Sequence, residues 1–450
     1  MKANNTKMSW FEKISYGFGN MGLCLATTIV TSFLMYFYTD IVKLTLGQVG
    51  TIMLLGGVAD AISDPLLGIF IDKTKTRWGK CRPYLLFCSI PMAVICALVF
   101  KVPEGSAAFR YGYALVTYIL YTLAYTAICI PQNVLLTSIT DEPKERLHVN
   151  MFGTLGTTIG QFAVSAFALG LVATLGKGSE ADGYFRTMLI FGAIGTLSIL
   201  VCFKNTRERI AAPENVKVTV KDILISMKNK PWIICAVSSL CIIAAVVVRA
   251  TSTVYFTQYV LNDVSVASKL LSITSLVGIP VTLLTPILAS KFGKRNLLSF
   301  GCAMAILGSV AMFFATHNIT MVIILTVVIA TGMALPLGVI YVMTAEAVDY
   351  GEWKTGIRIQ GFLMAFVGFG VKIANSLATM ITSKILDNGG YVGGAETQTA
   401  SAIKAIETNY LIIPIILFTV IFVANCFYDL DKKYPQIREE LMARRAKGME

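Results

Sequence analysis

Four ionisable residues stand deep inside long apolar runs: Asp60 and Asp64 in D-A-I-S-D-P (60–65), Arg249, and Lys372. A charge at the centre of a bilayer is costly even on lenient scales, so such groups need partners or a wet cavity. Asp60 and Asp64 lie four residues apart and share one helix face. Pro65 lacks a backbone N–H and so frees a carbonyl in the preceding turn. Two carboxylates, the Ser63 hydroxyl and a freed carbonyl are hard oxygen donors that suit a small cation or a proton. If the cation is Na+, Asp60 and Asp64 are metal ligands; if it is H+, they are the protonated groups. With Lys372 the pair carries a net charge of −1, and one bound monovalent cation brings the set to zero. That balance would let a loaded carrier reorient more readily than an empty one.

The elements that position these groups are membrane spans. Of 450 residues, 55% are hydrophobic and 14% charged, with mean hydropathy +0.69. Soluble proteins are about one-quarter charged, so a water-soluble domain, a disordered chain and a disulfide scaffold are excluded. Apolar runs fall at roughly 14–38, 48–71, 84–101, 111–139, 150–175, 187–203, 231–260, 267–290, 296–316, 320–345, 360–386 and 409–428. Each is long enough for a bilayer helix, which predicts an all-α membrane protein with twelve transmembrane helices. The first run exceeds a secretory h-region and lacks a cleavage pattern, so it reads as an uncleaved span. Asp60 falls about 12 residues into the second run, roughly 18 Å along a helix, near the midplane. Lys372 sits at a similar depth in the eleventh. Arg249, about 18 residues into the seventh, is expected to snorkel to the interface. The ten cysteines, nearly all inside apolar runs, read as packing residues. With His148 and His317 they form no metal-ligand spacing.

Charge placement orients the spans. The loops on the side of the termini hold 28 of the 38 Lys and Arg, and the opposite loops hold 7. The positive-inside rule then puts both termini in the cytoplasm of a plasma (inner) membrane. The formal net charge of +12 becomes topological charge facing anionic lipid, and no nucleic-acid partner is needed. The longest terminus-side loop, 204–230, reads as a linker between six-helix bundles at 1–203 and 231–450, with a short surface helix at 218–227. Corresponding loops resemble one another: G-I-F-I-D-K-T-K-T-R-W-G-K (68–80) with P-I-L-A-S-K-F-G-K-R (286–295), and D-E-P-K-E-R (141–146) with D-Y-G-E-W-K-T-G-I-R (349–358). Repeated halves enclosing a midplane site are a transporter arrangement. In those loops Asp72, Arg77, Arg82, Asp141, Arg146, Asp349, Glu352 and Arg358 interleave both signs. They are expected to form gating ion pairs on the cytoplasmic side. Glu346, nearby, is expected to pair with Arg358 or Lys354. No nucleophile–base pair, metal motif or phosphate loop points to an enzyme, and no cofactor beyond a coupling ion is implied.

Several segments together resemble the glycoside–pentoside–hexuronide:cation symporter family: S-Y-G-F-G (15–19), Y-T-D (38–40), D-A-I-S-D-P (60–65), R-W-G-K (77–80), R-P (82–83) and D-Y-G-E-W (349–353). Y-F-T-Q-Y-V-L-N-D (255–263) is similar to members that carry glucuronides. The resemblance covers nearly the whole chain. It implies the major facilitator fold, alternating access, and sugar or glycoside uptake coupled to H+ or Na+, for which a monomer suffices. It assigns the cation site to Asp60, Asp64, Ser63 and the helix 4 Thr126, and adds the helix 11 Lys372. The sugar positions depart from the family. Its two galactoside-binding aspartates fall at Cys24 and Cys129, its stacking tryptophan at Asn133 and its helix 5 arginine at Gly153. Cys24, Tyr125, Cys129, Asn133 and Lys372 are thus the substrate-site positions, with Tyr16, Gln132 and Tyr341 as further polar contacts. They fit a non-galactoside. The alternative is a facilitator or exporter of the same fold carrying a non-galactoside or amphiphilic substrate. Asp60→Asn is expected to abolish ion-driven accumulation, measured as the steady-state ratio of internal to external substrate.

Overall fold

Helix starts are written locally. Thr45 and Gln48 form a reciprocal capping box, with Gln48 N–H donating to Thr45 Oγ1 at 3.3 Å and Thr45 N–H to Gln48 Oε1 at 3.0 Å. Ser9, Ser106, Ser179 and Asn229 cap four further helices by accepting a backbone N–H three residues on. The computed structural model describes residues 8–74, 76–140, 142–209, 229–316, 318–355 and 360–447. The expected surface helix at 218–227 lies outside them.

The helices in chain order are α1 (Trp10–Tyr36, continued by a π turn Phe37–Ile41), α2 (Leu46–Lys73), α3 (Arg82–Val99), α4 (Ala107–Ile139), α5 (Pro143–Gly176) and α6 (Glu180–Asn205). They are followed by α7 (Lys230–Tyr259), α8 (Ser265–Phe292), α9 (Lys294–Phe313), α10 (Ile319–Thr355) and α11 (Gln360–Asn388). α12 (Ala400–Cys426) contains a π turn at Thr408–Ile412, and α13 (Leu430–Lys447) closes the chain. Eleven helices among the described residues are long and apolar enough to cross a membrane. The remaining long helix, α11, has 29 residues with Lys372 near its middle. The fold is therefore all-helical and multi-pass. Bulky apolar side chains line outward faces, as with Phe300, Leu307 and Val310 on α9, which are 58%, 68% and 41% exposed. In water such a stripe would be a liability; against lipid it costs nothing.

The chain divides into two compact units. Unit 1 is Met1–Glu214 with Asp263–Ser275 and Leu386–Thr399; unit 2 is Asn215–Asn262, Leu276–Ile385 and Ala400–Glu450. In unit 1, α1 packs on α5 and α6, α2 on α4, and α3 on α4 and α6. α1 and α5 approach backbone to backbone: a Cβ at Gly156 would run into the carbonyl oxygen of Gly17. Small residues permit such crossings between membrane helices. In unit 2, α9 packs on α10 and α12, α7 on α10 and α12, and α13 lies against α10.

Arg207–Arg209, the start of the segment read as a linker, staples one end of unit 1. Arg209 grips Glu12 through Nη1 and Nη2 at 2.8 and 2.9 Å. This fork raises the Arg209 pKa further above its already high ordinary value. Glu208 accepts the backbone N–H groups of Lys80, Cys81 and Arg82 at 2.8, 2.8 and 3.0 Å. These donors lie at the start of α3, where unpaired N–H groups and the helix dipole favour a carboxylate. Gly79, at φ +105°, makes the turn that presents them, and a side chain there would collide with Glu208. Lys13 and Glu145 pair alongside at 2.7 Å. Glu208→Ala is expected to cost about 2 kcal/mol by leaving three donors without this acceptor. It should lower the melting temperature of the detergent-solubilised protein, with Glu208→Gln intermediate; equal melting of all three would refute the staple.

Candidate cation and substrate site

α2 and α4 pack side by side in unit 1 and carry the carboxylate pair with its partner. The buried Thr126 donates its hydroxyl to Asp60 Oδ1. Ser63, also buried, donates to the Asp60 carbonyl at 3.0 Å. Asp60 and Asp64 are half-buried. Pro65 sits inside α2 directly after them. Thr126 can act in two ways. Donating its hydrogen, it stabilises ionised Asp60; rotated, it offers lone pairs to a cation held by the carboxylates. Among the described residues no group of three His, Cys, Asp or Glu gathers as a multidentate metal centre.

α4 also carries an aromatic ladder leading to this point. Tyr118, Tyr121 and Tyr125 stack successively with centroids 6.2 Å apart and planes within 25°. The Tyr118 ring covers Gly56 on α2, one turn before Asp60, where a Cβ would strike it. The Tyr121 hydroxyl is buried with no hydrogen-bond partner among the described residues. Sequence reasoning singled out Tyr125 but missed the other two rings, although their spacing of three and four marks one helix face.

The substrate positions divide by burial. Asn133 is exposed on α4 and donates to Cys129 Sγ at 3.6 Å, so these two share a face one turn beyond the half-buried Tyr125. Cys24 is buried on α1, its sulfur 3.4 Å from the Thr28 hydroxyl. Gly153, where the resemblance expects an arginine, is filled from α1: a Cβ there would lie 2.5 Å from Asn20 Nδ2 and 2.9 Å from Tyr16 Cε1. Tyr16 and Gln132, offered as further polar contacts, bond to one another. The Tyr16 hydroxyl donates to the Gln132 carbonyl at 3.2 Å, and Gln132 Nε2 donates to the Tyr16 carbonyl at 3.2 Å. Both are almost fully buried and lock α1 to α4. Lys372 is half-buried on α11 of unit 2, and Tyr341 is exposed on α10.

The loop charges have neighbours inside their own units. Arg77 lies over the Trp78 ring at 4.4 Å. Arg82 donates to the Phe203 carbonyl through Nε and Nη2 at 3.1 and 2.7 Å. Arg146 donates to the Thr140 carbonyl at 2.9 Å. In unit 2, Asp349 accepts the Tyr434 hydroxyl at 2.7 Å, and Trp353, beside the half-buried Glu352, donates to Glu440 at 2.7 Å. Burial and the Asp349 carboxylate together keep the Tyr434 phenol protonated well above its usual range. Glu346 forms the ion pair expected of it, with Lys294 of α9 at 2.5 Å. Lys294 also reaches Asp431 at 3.5 Å. The sequence pointed to Arg358 or Lys354 because they are near in the chain; helix packing brings Lys294. Asp141, Arg358, His317 and the Asp72 side chain lie outside the described residues.

A model of the MFS/sugar transport protein family matches residues 15–432. The chain belongs to that family of transporters. The transporter is 36% identical to the isoprimeverose transporter of Lactiplantibacillus pentosus, over 97% of this chain and 92% of that one. It is 30% identical to a putative glycoside/cation symporter of Escherichia coli, over 98% and 96% of the two chains. A solved nucleoside transporter shares its fold, with TM-score 0.68 at 17% identity over 93% of this chain and 100% of that one.

In the transporter, Arg249 does not snorkel. It is 5% exposed and donates to the Tyr410 carbonyl at 3.3 Å and the Tyr410 hydroxyl at 3.2 Å, with its guanidinium 4.2 Å from that ring's centre. Tyr410 sits in the π turn of α12, a widened turn whose displaced backbone presents a carbonyl sideways. Phe256, seven residues after Arg249 on α7, stacks on the same ring at 4.1 Å. Interior acceptors replace the interface that the long side chain would otherwise seek. Arg249→Met is expected to leave both Tyr410 groups without this donor and cost about 2 kcal/mol. Arg249→Lys should lose less, as read by melting of the purified transporter; no change in either variant would mean the guanidinium reaches the interface after all.

Proposed function

We propose that the protein is a symporter that couples H+ or Na+ to the uptake of a sugar or glycoside by alternating access. The observation that carries this reading is the Asp60 carboxylate, near mid-depth in α2, receiving the Thr126 hydroxyl with Asp64 one turn away. Carboxylates are kept inside a membrane where an ion or proton must be taken up and released. Asp60, Asp64, Ser63 and Thr126 hold the coupling ion. Binding lowers the negative charge of the pair and favours reorientation. The relatives' names support the class: one is a putative glycoside/cation symporter and one an isoprimeverose transporter. Cys24, Tyr125, Cys129 and Asn133 contact the substrate. With no carboxylate at 24 or 129 and no arginine at 153, a non-galactoside glycoside such as isoprimeverose is the first candidate.

The excess of Lys and Arg on the terminus side, 28 against 7, supports a plasma (inner) membrane protein with both termini in the cytoplasm. Asp72, Arg77, Arg82, Asp141, Arg146, Asp349, Glu352 and Arg358 then face the cytoplasm, where exchange of their partners gates that side. A monomer is sufficient for the cycle. Purified protein in proteoliposomes, tested with imposed Na+ or H+ gradients against isoprimeverose, other glycosides, pentosides and uronides, is expected to show uptake stimulated by one gradient. Transport stimulated by neither would remove coupling and leave a facilitator.

A further inference from the structure

We propose that Asp40 and Tyr391 form a latch that docks the connector between α11 and α12 onto the end of α1, and that it releases and re-forms in each transport cycle. The inference rests on the alternating-access reading above; the Lys and Arg asymmetry behind that reading's topology assigns this end of α1 to the outer side.

Asp40 lies in the π turn that ends α1 and is 6% exposed. Its carboxylate is held by neutral donors from a distant part of the chain. The Tyr391 hydroxyl lies 2.8 Å from each oxygen, and the Gly394 N–H donates to Oδ1 at 2.8 Å. Thr39 adds its own hydroxyl to Oδ2 at 2.6 Å, and Lys43 Nζ reaches the Gly393 carbonyl at 3.4 Å. The connector is shaped for this seat. A Cβ at Gly393 would run into the Thr39 carbonyl, and Gly394 adopts φ +70°, which L side chains rarely take. Gln398 closes the turn on itself, accepting the Val392 N–H at 3.1 Å and donating to the Val392 carbonyl at 2.6 Å. The segment Leu386–Thr399 belongs to unit 1, yet the chain enters it from Ile385 and leaves it into Ala400, both of unit 2.

The chemistry of the seat distinguishes a latch from a permanent staple. Between Tyr391, 7% exposed, and Thr399 the connector's other bulky apolar side chain, Val392, is 61% exposed. The direct contacts at this seat are made by a carboxylate, a phenol, a hydroxyl, an ammonium and backbone groups. Each of these exchanges its partner for water on release, so the net cost is small. Apolar surface, by contrast, would have no replacement in water. Polar grips of this kind give an element two discrete arrangements close in free energy, as switching requires.

The test is a distance measured by spin–spin coupling between labels at Gly47→Cys and Glu396→Cys. Both sites are exposed and outside the contact, in full-length protein whose native cysteines are replaced. The parent is expected to show a short and a long population. Tyr391→Phe and Asp40→Asn should each raise the long-to-short ratio by about tenfold, the worth of a hydrogen bond to a charged group. Gly393→Ala should raise it by collision while leaving both polar partners in place. One short distance in the parent and in all three variants would make the contact a permanent staple and overturn the proposal. A response to Gly393→Ala alone would remove the carboxylate–phenol grip from it. Uptake measured on the same samples separates the two readings: two populations without gradient-driven uptake would sink symport and keep the latch. Gradient-driven uptake with one fixed distance would do the reverse.

Discussion

Everything distinctive in this chain follows from the cost of placing polar groups where water is absent. Hydrocarbon offers no hydrogen bonds, so each backbone group is satisfied inside a helix, and each interior charge must find protein atoms. Asp60 finds the Thr126 hydroxyl and Arg249 finds two groups of one tyrosine. Both partners are neutral, but the consequences differ. Asp60 is half-buried and lies one helical turn from a second carboxylate. Arg249 is sealed by Tyr410 and Phe256 and serves packing.

At the membrane faces the same physics yields dense polar fastenings. Glu12, Glu145, Glu208 and Arg209 tie the ends of α1, α3 and α5 to the exit of α6. Lys294, Glu346 and Asp431 do the equivalent within unit 2, tying α9, α10 and α13. Ion pairs at such faces are partly desolvated, and they add geometric definition at helix ends, where the backbone ladder runs out of partners.

One position where the resemblance expects a sugar-binding side chain is taken up by helix packing. Gly153 lets α5 close on Tyr16 and Asn20, and Tyr16 with Gln132 then locks α1 to α4 through reciprocal hydrogen bonds. An arginine at 153 could not be added back without displacing those side chains. The helix crossing thus fills the position where the resemblance expects an arginine, and α4 carries Cys129 and Asn133 together with its tyrosine ladder.

The spans, their approximate bounds and the placement of Asp60 and Asp64 on one face were legible in the sequence because hydropathy and helical spacing are local properties. The resemblance led to Thr126, whose hydroxyl contacts Asp60. Partner choice was not legible. Nothing near Glu346 in the chain announces Lys294, nothing near Arg249 announces a π turn 160 residues away, and nothing near Asp40 announces Tyr391. Tyr16 and Gln132 read as free polar contacts until packing consumed them. The sequence by itself determined which groups must be satisfied, since that depends on residue type and depth. Only the tertiary structure decided what satisfies them, because partners are chosen by helix crossings and turn geometry that bring distant positions within hydrogen-bond reach.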